Sequence, residues 1–192
     1  MKLIKRTSLL LVLLTVPLAS TWAEEGRYQA TIKAFKEAGE SGAFFSNAYG
    51  YAVFPSIGRG GIGIGGARGS GRVFVGGKHV GNTTMTQLTI GFQLGGQVYS
   101  MIIFFEDQRT FDEFSSGSFE FGAQAKAVAI TAGASAAATT AGSSASISGG
   151  RSDAKTVGAY HKGMAVFTIT RGGLMYEASI GGQRFTFRPK ES

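Results

Sequence analysis

The chain has 192 residues, with 30 Gly, 3 Pro and no Cys, and a formal charge of +7. Without Cys there is no disulfide, thiolate metal site, thiol nucleophile or Cys-linked lipid anchor. A composition of 43% apolar residues, 11% of the chain aromatic, is enough to build the core of one domain. Gly without a three-residue period, and with so little Pro, excludes collagen.

Residues 1–23, MKLIKRTSLLLVLLTVPLASTWA, set Lys2, Lys5 and Arg6 ahead of an apolar run and end on Thr21-Trp22-Ala23. That is the layout of a secretory signal peptide, and its apolar run is too short to span a hydrocarbon core of roughly 30 Å. Cleavage after Ala23 removes those three cations, lowers the charge from +7 to +4 and leaves a single domain over 24–192. The expectation is an exported protein, periplasmic or secreted.

Residues 26–38 place Tyr28, Ile32 and Phe35 at i, i+4 and i+7, which predicts an amphipathic helix ending at Gly39, with a further helical turn around 41–47. Tyr51–Phe54 predicts a short strand stopped by Pro55. In Gly58–Gly71, Ile62 and Ile64 alternate with Gly61, Gly63 and Gly65, which predicts a strand with one face of bare backbone. Another backbone, an aromatic ring or a ligand must lie against such a face. Arg72–Val75 is a run of β-formers. Leu88, Ile90, Phe92 and Leu94 alternate with polar or small residues and predict a half-buried strand. Val98–Phe105 is almost wholly apolar and predicts a strand covered on both faces. Glu106–Phe114 suits a short helix, and residues 118–130 alternate less cleanly. Residues 131–150 are uncharged and low in complexity, either a loop or a pair of small-residue strands. Ala165–Thr170, Leu174–Ile180 and Arg184–Arg188 predict three closing strands joined by hairpins at Gly172-Gly173 and Gly181-Gly182. The expected fold is α+β and mainly β: a twisted antiparallel sheet curling toward a barrel, with one or two N-terminal helices.

Motifs for catalysis are weak. Gly61–Gly66 matches GxGxxG, but turn and strand follow where a dinucleotide site needs a helix. His79 and His161 with no Cys do not make a metal centre, and GxSxG is absent. The acid pairs Glu106-Asp107 and Asp112-Glu113 suit a solvated helix better than acid–base chemistry. No enzyme activity, cofactor or metal is expected. Between Glu40 and Glu106 there is no Asp or Glu, while Arg59, Arg68, Arg72 and Lys78 fall in that stretch. Guanidinium forks beside exposed glycine amides suit an anionic head group. These four residues are the candidate lipid-binding set. Tyr28, Ile32 and Phe35 are candidates for shallow membrane contact, the alternative being that their helix folds back as core. Nucleic acid is not an expected partner, because aromatic and basic residues are not densely interleaved.

Three groups of residues carry a family resemblance. Asn47–Pro55, Gly58–Gly61 and Gly65–Gly69 resemble the opening of the SYLF domain, also called the Ysc84-type lipid-binding domain. Gly91–Gln97 followed by Ile102–Phe105 is similar to its middle signature, and Phe119–Ala123 and Gly172–Ile180 to its last parts. The resemblance spans about Ala34 to Pro189. It implies a non-enzymatic domain that binds membrane lipid: here an anionic phospholipid or membrane surface, or alternatively a protein partner in the cell envelope. Some relatives bind actin, a role that an exported chain does not suit.

Overall fold

A computed structural model describes residues 16–62, 64–90, 95–121, 126–130, 160–171, 178–179 and 182–191. Residues 131–150, Gly63, Phe92, Leu94 and the Gly172-Gly173 pair lie outside them. Three helical segments open the described chain: α1 (Val16–Glu37), α2 (Gly39–Gly42) and α3 (Phe44–Asn47). Four long strands follow: β1 (Gly50–Ile62), β2 (Ile64–Val75), β3 (Lys78–Ile90) and β4 (Gly95–Phe105). After α4 (Gln108–Ser115) come β5 (Ser118–Glu120), β6 (Lys126–Ile130), β7 (Met164–Arg171), β8 (Ala178–Ser179) and β9 (Gln183–Pro189). The strands form one sheet in the order β5-β9-β3-β2-β1-β4-β7-β6-β8, antiparallel except for β6 beside β7.

The sheet curls toward a barrel, and two contacts measure how far. In a flat sheet β9 and β4 would stand about 19 Å apart, four steps of about 4.8 Å. Yet Gln183 Nε2 on β9 donates to the Tyr99 hydroxyl on β4 at 3.3 Å. The Phe54 and Phe185 rings meet edge-on, centroids 5.7 Å apart, across β2 and β3. Inside the curl, Phe54, Ile57, Val73, Met85, Met101, Ile103, Phe105, Phe114 and Phe185 form one apolar core. On the outer face a second core joins Val53, Phe74, Ile102, Phe104 and Phe167 to the helices through Tyr28, Ile32, Phe35 and Phe44. Tyr99 to Phe105 are all buried, so β4 is covered on both faces there as expected, but Val98, which that expectation included, is 43% exposed. The helix after β4 is also as expected, capped by Asp107, whose carboxylate accepts from the Thr110 N–H at 2.7 Å.

Several local expectations are corrected. Pro55 does not stop a strand: β1 runs through it, and the pairing with β2 and β4 slips there. Proline has no N–H to give to a ladder, so an irregularity in the pairing is where a strand tolerates it. The Pro55 carbonyl is used, accepting from the Ser100 hydroxyl at 2.8 Å. The glycine-rich stretch is not one strand but the tip of the β1–β2 hairpin, with Ile62 opposite Ile64. Leu88 does not face the core; it is 74% exposed on the outer face. The closing strands are not successive hairpins, since β6 separates β7 from β8, and β9 pairs with β3 and β5.

Candidate functional site

Register decides which side chains share a face, because residues directly opposite on neighbouring strands point the same way. Arg68 on β2 stands opposite Gly58 on β1 and Thr86 on β3. Thr86 stands opposite Arg184 on β9, and Arg184 opposite Glu120 on β5. Gly58 stands opposite Val98 on β4. The outer face therefore carries one row across six strands: Glu120, Arg184, Thr86, Arg68, Gly58 and Val98. Arg68 and Arg184 are two strands apart, about 10 Å. Two residues along, Leu88 lies opposite Gly66.

This part of the face is not covered by α1, and it forms a groove of about 740 Å³ whose lining includes Gly58, Gly66, Arg68, Thr86, Leu88 and Arg184. Its floor is bare backbone. A Cβ at Gly58 would have no atom within 4 Å, and one at Gly66 would make an ordinary contact with the Gln87 carbonyl at 3.4 Å. The glycines of the inner face are different. A Cβ at Gly71 would lie 2.6 Å from the Phe54 ring and 2.9 Å from the Val53 carbonyl. Ile57 covers Gly69 and Phe187 covers Gly81 in the same way. So side chains of neighbouring strands occupy the bare inner face, and the outer face at Gly58 and Gly66 is left open.

The four predicted cations do not form one patch. Arg68 is exposed in the groove, and among the described residues no carboxylate pairs with it. Arg72 lies on the same face four residues along β2, about 13 Å away. It is engaged by its own chain: its guanidinium pairs with Glu24 at 3.9 Å and with Glu25, and stacks over the Tyr28 ring at 4.3 Å. Glu25 is held below the usual carboxylate range, by the hydrogen bond from Gln29 and then by that from Arg72. Arg59 points to the inner face, level with Ala67 and Gln97. There its charge favours ionisation of Tyr99, but burial outweighs it and pushes that hydroxyl up to about 12. Lys78 opens β3 beside the Gly76-Gly77 turn, eight residues from Thr86 and thus about 26 Å from the groove. Tyr28, Ile32 and Phe35 are buried in the outer core. This is the folded-back arrangement, and contact with a bilayer by these side chains would require α1 to leave the sheet.

Arg184, Thr86 and Glu120 are groove residues that sequence reasoning did not select, and Val98 continues their row beyond the groove. Among the described residues there is no cluster of three potential metal ligands, and no helix is long and apolar enough to cross a membrane.

The family model described as "Ysc84: Las17-binding protein actin regulator" matches residues 86–192. That span includes Thr86, Leu88, Val98, Glu120 and Arg184, and begins after the glycine-rich hairpin. Beta cell expansion factor A of Aeromonas veronii is 29% identical over 158 residues, which cover 81% of this chain and 52% of that protein. The chain thus spans about half the length of this relative.

Proposed function

The chain belongs to the Ysc84 (SYLF) family, and from that premise we propose that it is a non-enzymatic lipid-binding module of the cell envelope that holds the phosphate of an anionic head group in the outer-face groove. The observation that carries the reading is the row itself. An exposed guanidinium with no carboxylate partner among the described residues, Arg68, stands over open glycine backbone at Gly58 and beside the exposed apolar side chains Leu88 and Val98. Cations next to exposed apolar residues suit a membrane interface, where phosphate and acyl chains lie a few ångströms apart. Arg184 joins Arg68 in this role; Arg72 holds α1 to the sheet. Export directed by residues 1–23, which this reading includes, would carry the domain to the periplasm or outside the cell, away from cytoplasmic actin.

Co-sedimentation with vesicles tests the proposal. Binding to vesicles rich in phosphatidylglycerol should exceed binding to neutral phosphatidylcholine vesicles. It should also fall steeply as salt rises from low ionic strength to about 0.15 M, where the screening length shortens to about 8 Å. Equal binding to both vesicle types would refute a head-group site. The family description names a protein ligand, so a docking role for an envelope protein is the second reading, and absence of vesicle binding under all conditions favours it.

A further inference from the structure

The groove contains a carboxylate that a surface built for anions alone would not need. Glu120 ends the cross-strand row, next to Arg184. Arg184 donates from both Nε and Nη2 to one oxygen, Oε2, at 3.3 and 3.0 Å. The other oxygen, Oε1, accepts no hydrogen bond among the described residues, and both side chains are about half exposed or more, 48% and 63%. Read across the strands, the polar groups run carboxylate, guanidinium, hydroxyl, guanidinium.

That order is complementary to a ligand with an ammonium group close to a phosphate. Resting on the phosphate-binding reading above, we infer that, at a membrane surface whose net negative charge comes from other lipids, the groove selects among phosphate esters one bearing a primary ammonium, the zwitterionic ethanolamine-type head group. The phosphate accepts from Arg184 and Arg68 above Thr86. The ammonium donates an N–H to Glu120 Oε1. A choline head group carries the same formal charges but has no N–H, so it cannot make the second contact. The open backbone at Gly58 and Gly66 allows close approach, and Leu88 meets the apolar part of the lipid.

The test uses vesicles holding the same minor fraction of phosphatidylglycerol in either phosphatidylethanolamine or phosphatidylcholine. The chain should bind the ethanolamine vesicles roughly threefold more tightly, the scale of one exposed charge-assisted contact. Glu120→Gln should remove that difference and keep the dependence on phosphatidylglycerol. Free phosphorylethanolamine should compete better than free phosphorylcholine, which separates head-group recognition from effects of bilayer packing and needs no variant. Equal binding to both vesicles, a difference that survives Glu120→Gln, or equal competition by the two free esters would each overturn the inference while leaving the anionic head-group site standing. Loss of the phosphatidylglycerol dependence in the unaltered chain would overturn both.

Discussion

Gly71→Val is expected to lower the unfolding free energy by about 3 kcal/mol, the upper range for overpacking a filled core. The reason is local. Gly71 faces the inside of the curl, and a Cβ there would stand 2.6 Å from the Phe54 ring and 2.9 Å from the Val53 carbonyl. The carbonyl belongs to the β1–β2 ladder and cannot retreat without loss of pairing. The ring is fully buried against Phe185 and has no space into which to turn. Gly58→Val is the control. It adds the same side chain to the neighbouring strand, on the outer face where nothing lies within 4 Å. Its stability should stay within about 0.5 kcal/mol of the parent, as for ordinary surface positions. In thermal unfolding the first variant should melt roughly 6–12 °C lower, from about 2–4 °C per kcal/mol for a domain of this size. Equal melting of the two variants would show that the glycines of the hairpin do not divide into a packed and an open class.

The second large effect is on membranes. Arg68→Gln with Arg184→Gln should weaken binding to anionic vesicles about tenfold. A basic residue near such a surface with no carboxylate partner among the described residues, as Arg68 is, contributes about 1 kcal/mol, and Arg184, partly offset by Glu120, about half of that; together they make about 1.5 kcal/mol, a little over a factor of ten. Arg72→Gln should change vesicle binding by less than about twofold, because two carboxylates already offset that charge. Its cost should fall on stability instead, about 1 kcal/mol from the lost ion pairs and ring contact. A reversed ranking, with Arg72 dominant and the pair of groove arginines silent, would place the lipid at α1.

Much of the fold was legible from local pattern, and the failures have two causes. Tyr28, Ile32 and Phe35 repeat with the helical period, and Val98–Phe105 is apolar save for Ser100, so the second part of α1 and the doubly covered end of β4 could be read directly, whereas the start of α1 at Val16 could not. The faces of β1 could not. Unbroken alternation from Val53, which faces α1, would put Arg59 on the same side as Arg68. The pairing slips by one residue between Val53 and Ser56, and a one-residue slip moves every later side chain to the other face. Arg59 thereby goes inside with Ile57. Pro55 was the visible signal, and it marks the slip rather than an end. The groove was hidden for a different reason. Arg184 meets Thr86 only because β9 pairs with β3, across 98 positions of chain. Nothing in the local sequence fixes that partner, whereas the acid-free stretch from 41 to 105 draws attention to cations that the fold then disperses.

Because the chain has no Cys, a single introduced thiol can report where lipid touches it. An environment-sensitive fluorophore attached at Leu88→Cys, in the groove, should shift to the blue and be quenched by lipid-borne quencher when anionic vesicles are added. The same probe at Lys78→Cys, exposed at the far end of β3, should stay in water. A probe at position 78 that enters the bilayer while the one at position 88 remains aqueous would contradict the assignment of the groove as the lipid-contacting surface.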